Sequence, residues 1–114
     1  METSKAEIIE LPKIFDPRGN LTVVEQMKNI PFCIHNTTWI YGASLGKTIE
    51  KQNHQGQQKF IVALSGSLYV TLVEGSGERE FMLNHPYQGL LLPAAAAYRI
   101  HNFSNGAVCL ELSS

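Results

Sequence analysis

Hydrophobic and polar residues alternate in short runs along most of the chain. The clearest run is Ser67–Glu74, in which Leu68, Val70 and Leu72 are predicted to point to one side of a strand. Phe60–Leu64 is apolar throughout, which is typical of a strand that is buried on both faces. Other runs rich in β-branched or aromatic residues predict strands at Glu7–Leu11, Leu21–Gln26, Thr37–Tyr41, Arg79–Leu83, Gly89–Leu92, Tyr98–Phe103 and Val108–Leu112. The pattern therefore predicts an all-β chain.

Turn-forming residues separate the predicted strands, at Asp16–Gly19, Ser65–Ser67, Gly75–Gly77, Asn84–Pro86 and Ser104–Gly106. Short strands divided by turns at intervals of roughly 8–12 residues are typical of a β-sandwich or a β-barrel. The four alanines of 94–97 favour a helix by propensity, but the segment follows a proline and is too short to be a stable helix, so we expect a loop. A chain of 114 residues has room for one domain, and we expect a single domain over residues 1–114.

The charge balance argues against two classes of partner. Nine basic and ten acidic residues leave a formal net charge of -1, whereas nucleic acids and anionic membranes are usually bound through a basic excess. The amino-terminal segment lacks the apolar stretch of a signal peptide, and no run approaches the roughly 18 apolar residues of a membrane helix. We therefore expect a cytoplasmic protein in which Cys33 and Cys109 are buried free thiols rather than a disulfide.

Two segments carry the spacing of the metal-binding motifs of cupins, a family of small β-barrels. The first motif spans Gly46–Gly66, and its ligand positions hold Gln52, His54 and Lys59. The second motif spans residues 93–102 and has Tyr98 at the position of its metal-binding histidine. This resemblance implies a cupin barrel in which Gln52, His54 and Tyr98 meet in one cavity.

The residue types at these positions do not suit a metal ion. A divalent transition metal in this fold needs imidazoles and a carboxylate that converge from neighbouring strands. Gln52 is a poor ligand, Lys59 presents a cation where a carboxylate is needed, and His54 alone holds a metal weakly. We therefore expect neither a metal nor another cofactor.

A second and more specific resemblance covers almost the whole chain. It is carried by Asp16–Leu21, Asn29–Phe32, Trp39–Tyr41, Ile49–His54, Phe60–Ser67, Ala94–Tyr98 and His101–Ser104. These segments resemble the sugar-nucleotide 3,4-ketoisomerases, which convert dTDP-4-keto-6-deoxyglucose to its 3-keto isomer. The chain departs from the family where Ile49 replaces an arginine, Gln52 replaces a histidine and Ala97 replaces a tryptophan.

The resemblance implies roles for six residues of the candidate site. His54 is the remaining candidate base, because histidine titrates near neutral pH, and Tyr98 is a candidate proton donor. Arg18 would face the nucleotide diphosphate, or would only fix its own turn by pairing with Asp16. Two other candidate binding residues are Gln52, which could hydrogen-bond a sugar oxygen, and His101, which could instead make a structural hydrogen bond. Trp39 is the sixth candidate, and it shares a strand face with Tyr41. Each of these two rings could line the pocket or pack in the core, and we favour the pocket for Trp39 and the core for Tyr41.

Three functions stay open at this point. The first is an isomerase acting on a dTDP-keto-deoxysugar in the synthesis of surface polysaccharide. The second is a non-catalytic module of the same fold that binds the sugar nucleotide, and the third is a structural cupin without a small ligand. Gln52, Ile49 and Ala97 are the residues that count against the first function. The resemblance also implies a homodimer that exchanges amino-terminal strands, which would protect the edge strands of the barrel.

Overall fold

The computed structural model describes residues 6–43, 46–52, 56–75, 77–94 and 96–114. All regular elements in these ranges are strands. They are β1 (Glu7–Glu10), β2 (Lys13–Ile14), β3 (Leu21–Thr22), β4 (Asn36–Ile40), β5 (Ile49–Gln52), β6 (Lys59–Ser65), β7 (Leu68–Glu74), β8 (Gly77–Leu83), β9 (Gln88–Leu92), β10 (Ala97–His101) and β11 (Val108–Ser113). The prediction of an all-β chain is confirmed.

The strands form two main antiparallel sheets and a small hairpin. The larger sheet has the order β1-β9-β6-β11-β4, and the smaller sheet has the order β5-β10-β7-β8. Strands β2 and β3 pair with each other near the amino terminus. Among the described residues, strand pairing does not join the two main sheets, so they form an open arrangement rather than a fully closed barrel.

One core lies between the two main sheets. Leu68, Val70 and Leu72 of β7 are 0–2% exposed and pack in the same cluster as Ile61 and Ala63 of β6. The alternation predicted for β7 is therefore confirmed, because its apolar positions face this inner core. We call the side of each sheet that faces this core its inner face.

A second core covers the opposite face of the larger sheet. Phe60 and Val62 of β6 point there and pack with Ile30 and Phe32 from the amino-terminal third of the chain. Residues 60–63 are thus buried on both faces of the sheet as predicted, whereas Leu64 is 45% exposed. None of the described residues form a helix that is long and apolar enough to cross a membrane.

The turn between β6 and β7 explains the last glycine of the first cupin motif. Gly66 has a φ of 70°, which lies in the left-handed region that favours glycine. A side chain at this position would also collide with the hydroxyl of Ser104. That hydroxyl accepts a hydrogen bond from the backbone N–H of Ser67 at 2.9 Å. The turn is therefore packed against the loop that follows β10.

The strand predictions miss β2, a strand of two residues, and differ from the structure at two further places. The predicted strand at Leu21–Gln26 is regular only over β3, and the rest of that segment is irregular. Strand β5 was not predicted, because Glu50, Lys51 and Gln52 are polar and carry little strand signal. Tertiary pairing forms this strand, since its four residues pair with Ala97–Ile100 of β10.

Two burial predictions were wrong. Cys33 is exposed, although Cys109 is buried and both are free thiols as predicted. Tyr41 follows β4 and is 72% exposed, not part of a core. Strand β4 is an edge strand of the larger sheet, which explains why an aromatic residue there remains open to solvent.

Candidate functional site

A cluster of charged and polar side chains lies on the inner side of the fold, at one end of the inner core. Glu111 of β11 is only 3% exposed. Its Oε1 lies 3.0 Å from Nζ of Lys51 and 3.8 Å from Nζ of Lys59. The hydroxyl of Tyr98 donates a hydrogen bond to Oε2 of Glu111 at 3.2 Å. These four residues, Lys51, Lys59, Tyr98 and Glu111, are called the inner cluster below.

Strand register brings the inner cluster together from both sheets. Tyr98 of β10 is paired with Lys51 of β5 in the smaller sheet. Glu111 lies two residues after Cys109 on β11, and both point inward because side chains alternate along a strand. Lys59 begins β6, next to β11 in the larger sheet. The cluster therefore bridges the two sheets.

The inner cluster carries an excess of positive charge, with two ammonium groups beside one carboxylate. Burial raises the pKa of Tyr98 far above its ordinary value, and the charge of Glu111 and the hydrogen bond to it raise it further. Burial, together with the same carboxylate, raises the pKa of the Cys109 thiol to about 12. Both groups are therefore neutral at physiological pH.

The hydrogen bond of Tyr98 bears on its expected role. A phenol has one proton, and in this structure that proton is donated to Glu111. A Tyr98 side chain that is 1% exposed offers little surface to a ligand. Lys51 and Lys59 are more accessible, with 27% and 14% of their side chains exposed. The lysines are thus the part of the cluster that a ligand can reach.

Gln52 lies on the opposite face of the smaller sheet from the inner cluster. It is paired with Ala97, and Ala97 is paired in turn with Val73 of β7. These residues line a groove of about 390 Å³, called the outer groove below, together with Glu50, Arg99 and two members of the inner cluster, Lys51 and Tyr98. Gln52 and Tyr98 are on adjacent strands and both line this groove, although strand alternation points their side chains to opposite faces of the sheet. The expected meeting of both residues with His54 stays a prediction. His54, the third member of that expected group, lies outside the described residues.

His101 also belongs to the outer face of the smaller sheet. Its Nε2 lies 2.7 Å from Oγ1 of Thr71 and 3.6 Å from Oε2 of Glu80. Its ring stacks on Tyr69 with the ring centroids 6.0 Å apart. These contacts fit the structural alternative for His101, because all of them hold neighbouring strands of the sheet together.

Arg18 lies in the turn between β2 and β3. Its Nε and Nη2 donate to the two carboxylate oxygens of Asp16 at 3.1 and 3.2 Å. This side-chain hydrogen bond lowers the pKa of Asp16 and raises the pKa of Arg18. The Arg18 side chain is 91% exposed. A guanidinium held in this way fixes its turn and still presents donors to solvent.

Trp39 lies on β4, an edge strand of the larger sheet, whereas the outer groove is formed by strands of the smaller sheet, and Trp39 is 59% exposed. Its exposure excludes the core alternative and leaves the ring open to a ligand or a partner. Among the described residues, no group of three or more His, Cys, Asp and Glu side chains is placed to hold a metal ion.

Lys51 and Glu111 were not predicted as site residues. Glu111 could have been recognised as a candidate, because it is the only charged residue in the predicted strand Val108–Leu112, and a buried charge needs a partner. Lys59 was considered only as a replaced metal ligand. Nothing in the sequence distinguished Lys51 from an ordinary solvent-exposed lysine, since strand β5 was not predicted.

Two facing antiparallel sheets with turns at both ends define the class of the protein, which is a cupin. The fold is shared with dTDP-4-dehydrorhamnose 3,5-epimerase from Bacillus anthracis, with a TM-score of 0.79 at 18% identity over 95% of this chain and 71% of the epimerase. The predicted fold class is therefore confirmed.

The chain belongs to the FdtA family, described as WxcM-like, C-terminal, whose model matches residues 4–114. It is 32% identical over 108 residues to TDP-4-oxo-6-deoxy-alpha-D-glucose-3,4-oxoisomerase from Aneurinibacillus thermoaerophilus, covering 95% of this chain and 78% of that protein. The predicted relationship to the sugar-nucleotide 3,4-ketoisomerases is confirmed.

Solved structures of such enzymes have the same fold as this chain. A mutant of the 3,4-ketoisomerase QdtA from Thermoanaerobacterium thermosaccharolyticum, in complex with TDP-4-keto-6-deoxyglucose, matches with a TM-score of 0.92 at 27% identity over 96% of this chain and 80% of QdtA. The TDP-quinovose 3,4-ketoisomerase WlaRB from Campylobacter jejuni matches with a TM-score of 0.89 at 29% identity, over 96% and 84% of the two chains. The protein is thus a 3,4-ketoisomerase-like cupin.

Proposed function

We propose that the protein binds a TDP-linked 4-keto-6-deoxysugar and moves its keto group from C4 to C3. The observation that carries this proposal is the match to QdtA bound to TDP-4-keto-6-deoxyglucose, which extends over 96% of this chain. The curated relative from Aneurinibacillus thermoaerophilus is named for the same chemistry. The ligand class is therefore a nucleoside-diphosphate sugar.

The proposed reaction needs a base that takes a proton from C3 of the sugar. A base works best when its pKa is near the working pH, which favours histidine. His54 keeps the histidine of the family at its position, so we propose it as this base. Tyr98 is retained as a candidate donor, although its hydrogen bond to Glu111 competes with donation to a sugar oxygen.

Four residues are proposed to bind the nucleotide sugar. Arg18 has the clearest support, because its exposed guanidinium borders a groove of about 350 Å³ and suits a diphosphate. Trp39 is exposed and can stack on a base or a sugar. Gln52 can hydrogen-bond a ligand from the outer groove, and His101 is proposed to order that face.

The cellular setting belongs to the same proposal. We propose a cytoplasmic, single-domain protein over residues 1–114 that acts as a homodimer in the synthesis of a surface polysaccharide. A dimer is supported by the apolar side chains exposed near the amino terminus, among them Phe15 at 79% and Leu21 at 58%. Size-exclusion chromatography with light scattering tests the dimer.

The experiment for the activity incubates the protein with TDP-4-keto-6-deoxyglucose and follows the sugar by proton NMR. We expect a 3-keto product, and we expect His54→Ala to lower the rate about 10²–10⁴-fold, as the loss of a positioned base does. His35→Ala is the matched control, because His35 is exposed and outside the proposed site. Binding of TDP without turnover would instead favour the non-catalytic module, and turnover unchanged by His54→Ala would refute the role of His54.

A second test addresses the diphosphate. Because Arg18 is proposed to bind it bidentately, Arg18→Ala should weaken TDP binding about tenfold in isothermal titration calorimetry. Lys28→Ala serves as the control, since Lys28 is a surface cation that pairs with Glu25. Equal TDP affinity in the two variants would assign Arg18 to its turn alone.

A further inference from the structure

Of the two lysines in the inner cluster, Lys59 has the longer distance to its counter-charge, the carboxylate of Glu111. Lys51 lies within hydrogen-bond distance of Glu111, at 3.0 Å. Lys59 lies 3.8 Å from the same oxygen, which is too long for a hydrogen bond. Its other described contact is with the ring of Tyr98, 5.8 Å from the ring centroid. One carboxylate is thus shared by two ammonium groups, and Lys59 supplies the excess positive charge.

This arrangement favours an anionic group of a ligand next to Lys59. A largely buried cation is costly unless an anion and hydrogen bonds compensate for the lost water. The Lys59 side chain is 14% exposed, so it is shielded from bulk water and still reachable. Glu111 and Tyr98, the residues that its ammonium contacts, are 3% and 1% exposed.

The position of Lys59 in the cupin motifs supports the same conclusion. Lys59 stands at the glutamate ligand position of the first motif, and Tyr98 stands at the histidine position of the second. The structure brings these two positions together, with the Lys59 ammonium near the Tyr98 ring. Where a cupin with the full motif would hold a metal ion, this chain therefore holds a fixed ammonium.

We propose that Lys59 is a catalytic residue whose ammonium stabilises the enediolate of the keto-sugar. This inference rests on the proposed isomerase function. In that reaction the C3–H bond breaks as the base takes the proton, and its electron pair forms the C3=C4 double bond. The π electrons of the C4 carbonyl move onto its oxygen, which gains one negative charge. The base then returns its proton to C4, and the O3 proton moves to the C4 oxygen as the C3=O bond forms, which gives the neutral 3-ketone.

The excess charge in the inner cluster matches the charge that develops in this step. The two lysines and one carboxylate leave a net charge of +1, which one new negative charge on the sugar would balance, in a site where water is largely excluded and electrostatic interactions are strong. A diphosphate is the other source of an oxyanion in the same ligand. We assign the diphosphate, which carries two or more negative charges, to the exposed guanidinium of Arg18.

The test compares Lys59→Met and Lys59→Arg with the unaltered protein, and Lys28→Met is the control. Methionine keeps the length of the side chain and removes the charge, whereas arginine keeps the charge. Each protein is titrated with TDP and with TDP-4-keto-6-deoxyglucose, and kcat is measured by NMR. Far-UV circular dichroism shows whether each variant is folded.

We expect Lys59→Met to lower kcat about 10²–10³-fold, as the loss of one oxyanion donor does. It should also weaken binding of the keto-sugar nucleotide about tenfold, because a hydrogen bond from a charged group is lost, without changing TDP affinity. Lys59→Arg should recover part of both effects, and Lys28→Met should behave like the unaltered protein.

The outcomes separate this inference from the proposed function. If the unaltered protein turns over the keto-sugar and Lys59→Met matches it in kcat and in binding, the role of Lys59 is refuted and the isomerase function stands. If Lys59→Met weakens TDP itself about tenfold, Lys59 binds the diphosphate and the inference is wrong. If the unaltered protein binds the keto-sugar without turnover, the isomerase function fails and the catalytic role of Lys59 fails with it.

Discussion

The carboxylate of Glu111 can be removed with little change in shape by the substitution Glu111→Gln. In the native protein this carboxylate is 3% exposed and contacts Lys51, Lys59 and the hydroxyl of Tyr98. The glutamine can still accept a hydrogen bond from Tyr98, but it leaves two ammonium groups at the inner cluster without a counter-charge. The free energy of unfolding should fall.

The size of the effect follows from the burial of each partner. Removing one member of a buried ion pair costs about 3–5 kcal/mol, since the remaining charge is left uncompensated. Lys51 is 27% exposed and can be partly solvated after the change, which reduces the cost. We expect a loss of about 2–4 kcal/mol, which is a large fraction of the roughly 5–15 kcal/mol that stabilises a domain.

Urea unfolding followed by far-UV circular dichroism measures this loss. With an m-value of about 2 kcal/mol per molar urea, in the middle of the usual range, the midpoint should fall by about 1–2 M. Glu25→Gln is the control, because it breaks the exposed pair with Lys28, and such pairs contribute about 0–1 kcal/mol. A loss of less than about 1 kcal/mol for Glu111→Gln would refute the conclusion that the inner cluster is an interdependent buried network.

A rescue variant separates charge from packing. If the cost comes from uncompensated charge, the combined change Lys51→Met, Lys59→Met, Glu111→Leu and Tyr98→Phe should be more stable than Glu111→Gln. Tyr98→Phe is included because the hydroxyl of Tyr98 would otherwise lose its acceptor. Replacement of a whole buried ionic group by apolar residues is often neutral or stabilising. A combined variant as unstable as Glu111→Gln would show that these side chains stabilise the fold mainly through their shape.

Two further predictions concern packing and thiol chemistry. Gly89→Ala should destabilise the protein by about 1–3 kcal/mol in the same urea assay, because the new Cβ would overlap the ring of the buried Phe60. Gly77→Ala is the control and should be neutral, because its new Cβ meets no atom. Equal stability of the two variants would contradict this packing of Gly89 against Phe60. At about pH 8 iodoacetamide should alkylate the exposed Cys33 and spare the buried Cys109, whose raised pKa of about 12 keeps it a thiol, and mass spectrometry of the native and urea-unfolded protein checks this. Alkylation of Cys109 in the native protein would contradict its burial. Because the pKa of Cys109 is higher in the folded state, its contribution to the free energy of unfolding is complete below about pH 8 and is lost as the pH rises towards 12.

The sequence by itself determined the fold class and the family. Period-two patterns such as Leu68, Val70 and Leu72 are a local property of the chain, because alternation along a strand decides which residues are buried. Family membership was equally readable, since it depends on residue types and their spacing and not on contacts. The apolar run from Phe60 to Ala63 was correctly predicted to be buried on both faces.

Only the tertiary structure decided which side chains meet. Gln52 and Tyr98 lie on paired strands, yet register places them on opposite faces, and a shift of one residue in register would reverse this. Strand β5 itself depends on pairing with β10, because its polar residues have no intrinsic preference for a strand. Glu111 becomes a site residue only when two sheets bring Lys51 and Lys59 to it, since electrostatic partners distant in sequence are chosen by the fold.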